Sequence, residues 1–391
     1  MPMPRRYRRL LSFLLISVLR QFGVLYGMDR LLKQSSGINL EPAKTTEVKA
    51  RTITLSPAPE SPDMAAVSAD HTRLAVMNTH QLSIYNLTDG REVLSIALEG
   101  SSPGTLQWLP DRNRLIFTIV SRKSNTKTVT EPAPRSTGVR DETYTTETFR
   151  HSRTVIKEGF EIGLYSLDGQ AGAEPELIQN LWQGGTLPKK MDLSLSTYTN
   201  LLYVHWVQGK QDNLAQIDIM KRVKDFNLPN GDLTRLVVTP RSGELWAEMS
   251  EDNTPSIYKF IKKRWRLQKF LDGYILLGVT PDEQLAVAPD PDQDGLIKEV
   301  ELVDDQGNFK PGWAFSSPIR AKNVRILNDG RLIYFDNRRV IIHTPQLGKG
   351  TVFNIPRVDA YSPDGKMMLT WQDSSGLVKI TEEVDEQQKS Q

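Results

Sequence analysis

The stretch Asp290-Pro-Asp292-Gln-Asp294-Gly295 carries the most motif-like chemistry in the chain. Three alternate carboxylates, glycine at the sixth place and Glu301 at the twelfth satisfy the loop pattern D-x-D-x-D-G-x5-E. In that pattern the odd-numbered oxygens converge on a hard cation and glycine permits the sharp turn. The residues that follow argue otherwise. LIKEVELV reads as a strand, and an extended chain carries Glu301 about 13 Å past Ile297 at ~3.3 Å per residue. Lys298, at the ninth place, brings a cation towards the supposed site. The segment is therefore read as an acidic hairpin turn. A Ca2+ site made by Asp290, Asp292, Asp294 and a backbone carbonyl is the alternative.

Other chemistry-bearing residues do not gather along the sequence. The five histidines (His71, His80, His151, His205 and His343) are scattered, with none at metal-ligand spacing and no His-Glu-x-x-His. No Gly-x-Ser-x-Gly elbow occurs, and residues 348–351 lack the spacing of a phosphate loop. His205 beside Trp206 reads as a packed strand residue. Tyr258 to Phe270 interleaves basic and aromatic residues as a nucleic-acid or anionic-lipid surface would. It also divides into two strands around a Lys-Lys-Arg turn, and that reading prevails. Lys plus Arg number 49 against 47 Asp plus Glu, a net charge of +2, which speaks against nucleic acid as a partner. The chain has no cysteine, so disulfides, thiolate metal sites and cysteine nucleophiles are excluded. No catalytic residue is assigned, and the acidic loop is the sole position for a cofactor.

The elements that position these residues are strands. From residue 49 onward, short runs rich in Val, Ile, Leu, Tyr and Trp alternate with turns carrying Asp, Asn, Gly and Pro. The runs repeat as a unit: strand, Pro/Asp turn, strand, polar loop, strand. First turns fall near Asp70, Asp111, Tyr198, Ser242, Asp282, Asp329 and Asp364, spaced 35 to 47 residues apart except for one gap. A period of about 40 to 45 residues with three or four strands is that of a propeller blade. One such sheet cannot bury both faces alone; radial arrangement lets each cover its neighbours. The expected fold is an all-β, seven-bladed β-propeller over residues 49–381, with six or eight blades as the neighbouring counts. The last unit is one strand short. Residues 49–56 (KARTITLS) alternate like a strand and are expected to complete it, closing the ring and removing an exposed edge.

The repeat resembles that of the WD40-like propellers, in particular the bacterial TolB-type unit. The resemblance rests on Ser362-Pro363-Asp364-Gly365-Lys366, with echoes at Thr280-Pro281-Asp282 and Leu109-Pro110-Asp111, and covers residues 50 to 381. Trp-Asp dipeptides are absent, so the chain departs from the conventional WD40 pattern. The resemblance implies a fold and says almost nothing of chemistry.

Two segments stand outside the repeat. Residues 1–9 hold four arginines and no acid, and an apolar run, LLSFLLISVL, follows at 10–19. A positive flank before an apolar segment keeps the N-terminus cytoplasmic and sends the rest across. Residues 1–28 are expected to form one N-terminal helix, a retained membrane anchor or uncleaved signal, contacting the membrane through residues 5–28. A cleaved signal peptide and an interfacial or partner-docked helix in a cytoplasmic complex are the alternatives. Residues 29–48 read as a linker, and 382–391 as a disordered acidic tail. The gap between the second and third turns holds an insertion at 121–158, in which threonine supplies nine of 38 residues. It reads as a β-ribbon arm prolonging two strands beyond the rim, with a disordered loop as the alternative. The expected function is a non-catalytic, membrane-anchored propeller on the extracytoplasmic side of the cell membrane. It would bind or assemble protein partners through its rim and the 121–158 arm. The alternative is an extracytoplasmic propeller enzyme of the lactonase or hydrolase kind, with its site at the central channel.

Overall fold

The structure, a computed structural model, describes residues 48–132 and 150–383, apart from 61, 99, 219, 263–265, 292–293, 337–338, 344–349 and 373–375. The N-terminal helix expected at 1–28, most of the linker and the acidic end beyond Glu383 lie outside the described residues.

Seven four-stranded antiparallel sheets follow one another. Blade 1 holds β2 (Met64–Val67), β3 (Arg73–Met77), β4 (Gln81–Asn86) and β5 (Glu92–Ala97). Blade 2 holds β6 (Ser101–Trp108), β7 (Arg114–Pro132), β8 (Arg150–Asp168) and β9 (Glu176–Gly184). Blade 3 comprises β10 (Lys190–Ser196), β11 (Leu201–Gln208), β12 (Gln211–Ile217) and β13 (Val223–Asp225). Blade 4 comprises β14 (Asp232–Val238), β15 (Leu245–Glu251), β16 (Thr254–Ile261) and β17 (Arg266–Asp272). In blade 5 are β18 (Tyr274–Val279), β19 (Leu285–Pro289), β20 (Leu296–Val303) and β21 (Phe309–Arg320). In blade 6 are β22 (Val324–Ile326), β23 (Leu332–Asp336), β24 (Arg339–His343) and β25 (Gly350–Phe353). Blade 7 has β26 (Ala360–Tyr361), β27 (Met367–Trp371) and β28 (Leu377–Glu383), and its outer strand is β1 (Val48–Thr54). The fold is a seven-bladed propeller.

Each seam between blades has its own apolar core, and there are seven such cores among the described residues. Strand alternation feeds two cores at once. In β15, Leu245, Ala247 and Met249 enter the seam with blade 3, while Trp246 enters the seam with blade 5. In β19, Leu285 and Val287 face blade 4, and Ala286 and Ala288 face blade 6. A strand covered on both sides reads as a continuous apolar run, which is why the second strand of each unit is so visible in sequence.

β1 pairs with β28 from Val48↔Glu383 to Thr54↔Leu377, and Ile53 packs into the core between blades 7 and 1. The first and last strands thus close the ring, as the alternation of residues 49–56 predicts. β28 runs two residues further than expected, taking in Glu382 and Glu383 from the stretch read as tail. Arg51 donates from Nη2 to Glu382 at 3.0 Å, and Arg331 pairs with Glu383 at 3.0 Å, so both acids have cationic partners that favour the folded strand.

Candidate functional site

Uniform strand order within the blades fixes two faces. Every turn between the first and second strands lies on one face, here the near face; every second-to-third connection lies on the far face. Glu383 N donates to Lys366 O, in the first turn of blade 7, at 2.9 Å, and Val48 pairs with Glu383. β1 therefore begins at the near face.

Turn-to-turn hydrogen bonds join neighbouring blades on the near face. Asn113 donates to Asp70 across blades 2 and 1, and Ser196 Oγ donates to Pro240 O at 2.6 Å across blades 3 and 4. Glu283 Oε1 accepts from Arg241 N at 2.8 Å, joining blades 5 and 4. Arg331 donates to Asp364 O at 2.6 Å, and Asp364 meets His71 at 2.9 Å. Several of these turns place one residue in the left-handed region. Gly243, Gly330 and Gly365 supply it at φ of 64°, 83° and 68°. His71 and Glu283 occupy the same region at 62° and 63°, and both use their side chains to reach the adjacent blade. The backbone cost of such a residue is about 1 kcal/mol, and here the bridging hydrogen bonds offset it. The Ser-Pro-Asp-Gly-Lys motif is thus a fastening: Ser362 Oγ donates to Asp364 at 2.6 Å and accepts from Met367 N at 3.0 Å.

On the far face, Asp290 N donates to Gly273 O at 2.8 Å, binding the acidic turn to the connection before β18. Asp294 lines a cavity between blades 4 and 5, and Asp292 lies outside the described residues. Glu301 stands within β20 opposite Val287, hydrogen-bonded by the Tyr274 hydroxyl. Burial and the neighbouring Glu299 raise its carboxyl above the usual range. Among the described residues no group of three His, Asp or Glu side chains is placed to hold a metal ion.

His205, 1% exposed, is packed in β11 as expected, but it is also clamped. Nε2 lies 2.7 Å from Asp212 Oδ1, and Nδ1 lies 3.3 Å from Asp192 Oδ2. Asp212 also accepts from Leu233 N of blade 4 at 3.2 Å, and Lys190 Nζ meets Asp192 at 2.9 Å. Burial pushes the Asp192 carboxyl up, but hydrogen bonds from His205 and Lys190 outweigh it and hold the group low. An imidazole engaged at both nitrogens has no free nitrogen for a substrate proton. The arrangement ties blades 3 and 4 together. Sequence reading missed Asp192 and Asp212 because they sit on neighbouring strands; the pairing of Asp192 opposite His205 was the available signal.

The basic stretch resolves into β16 and β17, with 263–265 outside the described residues. Lys259 Nζ lies 3.0 Å from Glu244 and 4.9 Å from the Trp246 ring centroid; Lys269 Nζ lies 3.1 Å from Asp272. Lys269 serves its own blade, and Lys259 also reaches Asp305 of blade 5 at 3.8 Å. His343 stacks on Tyr334 at 5.8 Å, and burial lowers its pKa to about 4.

The arm is a ribbon. β7 and β8 pair from Arg114↔Asp168 to Pro132↔Arg150, whereas pairing with β6 stops at Ser121 and pairing with β9 stops at Gly159. Nine residue pairs, from Ser124↔Glu158 to Pro132↔Arg150, continue beyond the sheet. At ~3.4 Å per residue that is about 30 Å. Because β7 starts at the near face, the arm leaves from the far face. Residues 133–149, between the two strands of the arm, are outside the described residues.

Neither the family models nor the curated proteins give a match to this chain. Solved structures do. Chaetomium thermophilum Raptor aligns with a TM-score of 0.53 at 11% identity, over 88% of this chain and 29% of that one. The WD40 β-propeller domain of Doa1 aligns at 0.49 and 14% identity, over 87% of this chain and 98% of that one. Selenomethionine-substituted virginiamycin B lyase from Staphylococcus aureus aligns at 0.49 and 11% identity, over 86% and 100%. The likeness is one of fold alone. That fold is the β-propeller.

Proposed function

We propose that the protein is a non-catalytic, membrane-tethered propeller of the TolB type, standing outside the cytoplasm and holding a protein partner with its arm and far-face rim. The observation that carries this reading is the ribbon. Over nine residue pairs its two outer edges have no strand partner among the described residues. Such edges offer main-chain N–H and C=O groups in register, to which an extended segment of another protein adds as a further strand. A two-stranded ribbon is only marginally stable alone, and a third strand supplies the missing pairing. The arginine flank and apolar run at 1–19 support the tether. β1 begins at the near face, opposite the arm, so a tether joined to it would leave the arm directed away from the membrane.

The test places photo-crosslinking residues at positions 128 and 155 of the full chain in native membranes. A discrete adduct with another protein is expected at both. Its absence at both positions overturns the partner reading. Alkaline carbonate extraction addresses the tether separately, and release into the soluble fraction overturns that part.

A further inference from the structure

A cavity of about 410 Å³ opens on the far face between blades 4 and 5. Arg235 of β14, Arg320 at the end of β21 and Lys322 in the turn after it line one part. Ile275, Pro291 and Ala321 supply apolar wall. Arg320 and Lys322 stand two residues apart in blade 5, and Arg235 joins them only through the packing of blade 4 against blade 5.

The cations lack full counter-charge. Arg235 is half-buried, and its Nη1 donates at 2.7 Å to a neutral acceptor, Leu276 O. Among the described residues, no carboxylate lies within ion-pair distance of Arg235, Arg320, Lys322 or Arg325. Burial pushes the Arg235 pKa down and the Arg325 charge adds to that, against Glu248 and Asp192. Glu248 lines the cavity too, but its oxygens are occupied: Oε2 accepts from Leu276 N at 2.6 Å and Oε1 from Thr234 Oγ1 at 2.5 Å. Among the described lining residues, Asp294 and Glu248 stand against three cations, a surplus of one positive charge. Arg325 increases that surplus from just outside.

We infer that this cavity binds a small organic anion, a carboxylate or phosphate monoester with an apolar body. The charged head sits among Arg235, Arg320 and Lys322, and the body lies against Ile275, Pro291 and Ala321. A planar guanidinium fixed through one N–H presents its remaining donors in a fork that matches two anionic oxygens. An anion also relieves the repulsion between Arg235 and Arg325, a gain that a neutral ligand lacks. The volume lies at the small end of ordinary ligand sites, which suits a compact molecule. The inference stands apart from the partner reading, since no arm residue lines the cavity.

The experiment is calorimetric titration of the full chain with phenyl phosphate, benzoate, inorganic phosphate and phenol. Phenyl phosphate or benzoate is expected to bind, phenol not to bind, and inorganic phosphate to bind about tenfold more weakly than phenyl phosphate. Rising salt should weaken the organic anions. Arg320 and Lys322 are exposed, so the variant carrying Arg320→Gln and Lys322→Gln keeps its fold by circular dichroism and loses about tenfold in affinity. Absence of organic-anion binding at about 10 mM overturns the inference. So does equal affinity for inorganic phosphate, or undiminished affinity in the folded double variant.

Discussion

Nε2 of His71, in the first blade, lies 2.9 Å from Oδ1 of Asp364, in the last. Their contact crosses the seam where the ring closes. Burial pushes Asp364 up, but hydrogen bonds from His71, Ser362 and Lys366 N outweigh it and hold the carboxyl down to about 2. The bond to Asp364 raises His71 above 6.5 against the opposing effect of burial.

The signs give a stability window. Asp364 is lowered from 3.8, so its contribution is complete above that value and is lost as pH falls towards 2. His71 is raised, so its contribution is complete below 6.5 and is lost as pH rises through the higher folded value. The pair therefore supports the fold most between about pH 4 and 6.5. His71→Asn, which keeps a residue tolerant of positive φ, should flatten both limbs at a cost on the order of 1 kcal/mol. Urea midpoints measured against pH check this; parallel profiles for variant and parent would count against it.

Ile53→Asp should lower stability by about 2 to 4 kcal/mol, because a carboxylate would enter the core between blades 7 and 1. Thr52→Asp, on the exposed side of the same strand, should change it by no more than about 0.5 kcal/mol. Equal effects in denaturant unfolding would mean that β1 is not the closing strand.

His205→Phe removes the partner of Asp212, whose side chain is 9% exposed. Left at that depth with only the Leu233 N–H as partner, the carboxylate costs about 1 to 3 kcal/mol. Adding Asp212→Leu to the same variant should recover part of the loss, a pattern that separates charge from packing. Unfolding midpoints of the two variants decide the matter.

Replacing residues 125–157 by Asn-Gly closes Ser124 onto Glu158 with a two-residue turn. The four-stranded part of blade 2 ends before this cut, so the melting temperature should stay close to that of the parent. Partner crosslinks elsewhere on the far face should disappear. A large drop in melting temperature would show that the arm belongs to the folded body.

What sequence could reveal followed distance along the chain. Blade count and turn positions depend on short-range alternation and on Pro, Asp and Gly placement, and each unit carries its own copy. The missing strand was visible because the last unit ended one short while residues 49–56 alternated. His71 and Asp364, 293 residues apart, gave no such sign. Neither did Arg235, Arg320 and Lys322, which meet only once two blades are packed. Composition misled at Glu382 and Glu383: an acidic run suggests a solvated end, but Arg51 and Arg331 hold both in a strand.

The pairing of β1 with β28 also has a mechanical meaning. Tension applied along β1 from its leading end meets seven register pairs, Val48↔Glu383 to Thr54↔Leu377, loaded in shear. A ladder sheared in this way shares the pull across its whole length, whereas one peeled from an end yields a pair at a time. A load carried between the leading segment and the arm on the opposite rim would therefore be borne by the clasp of the ring itself.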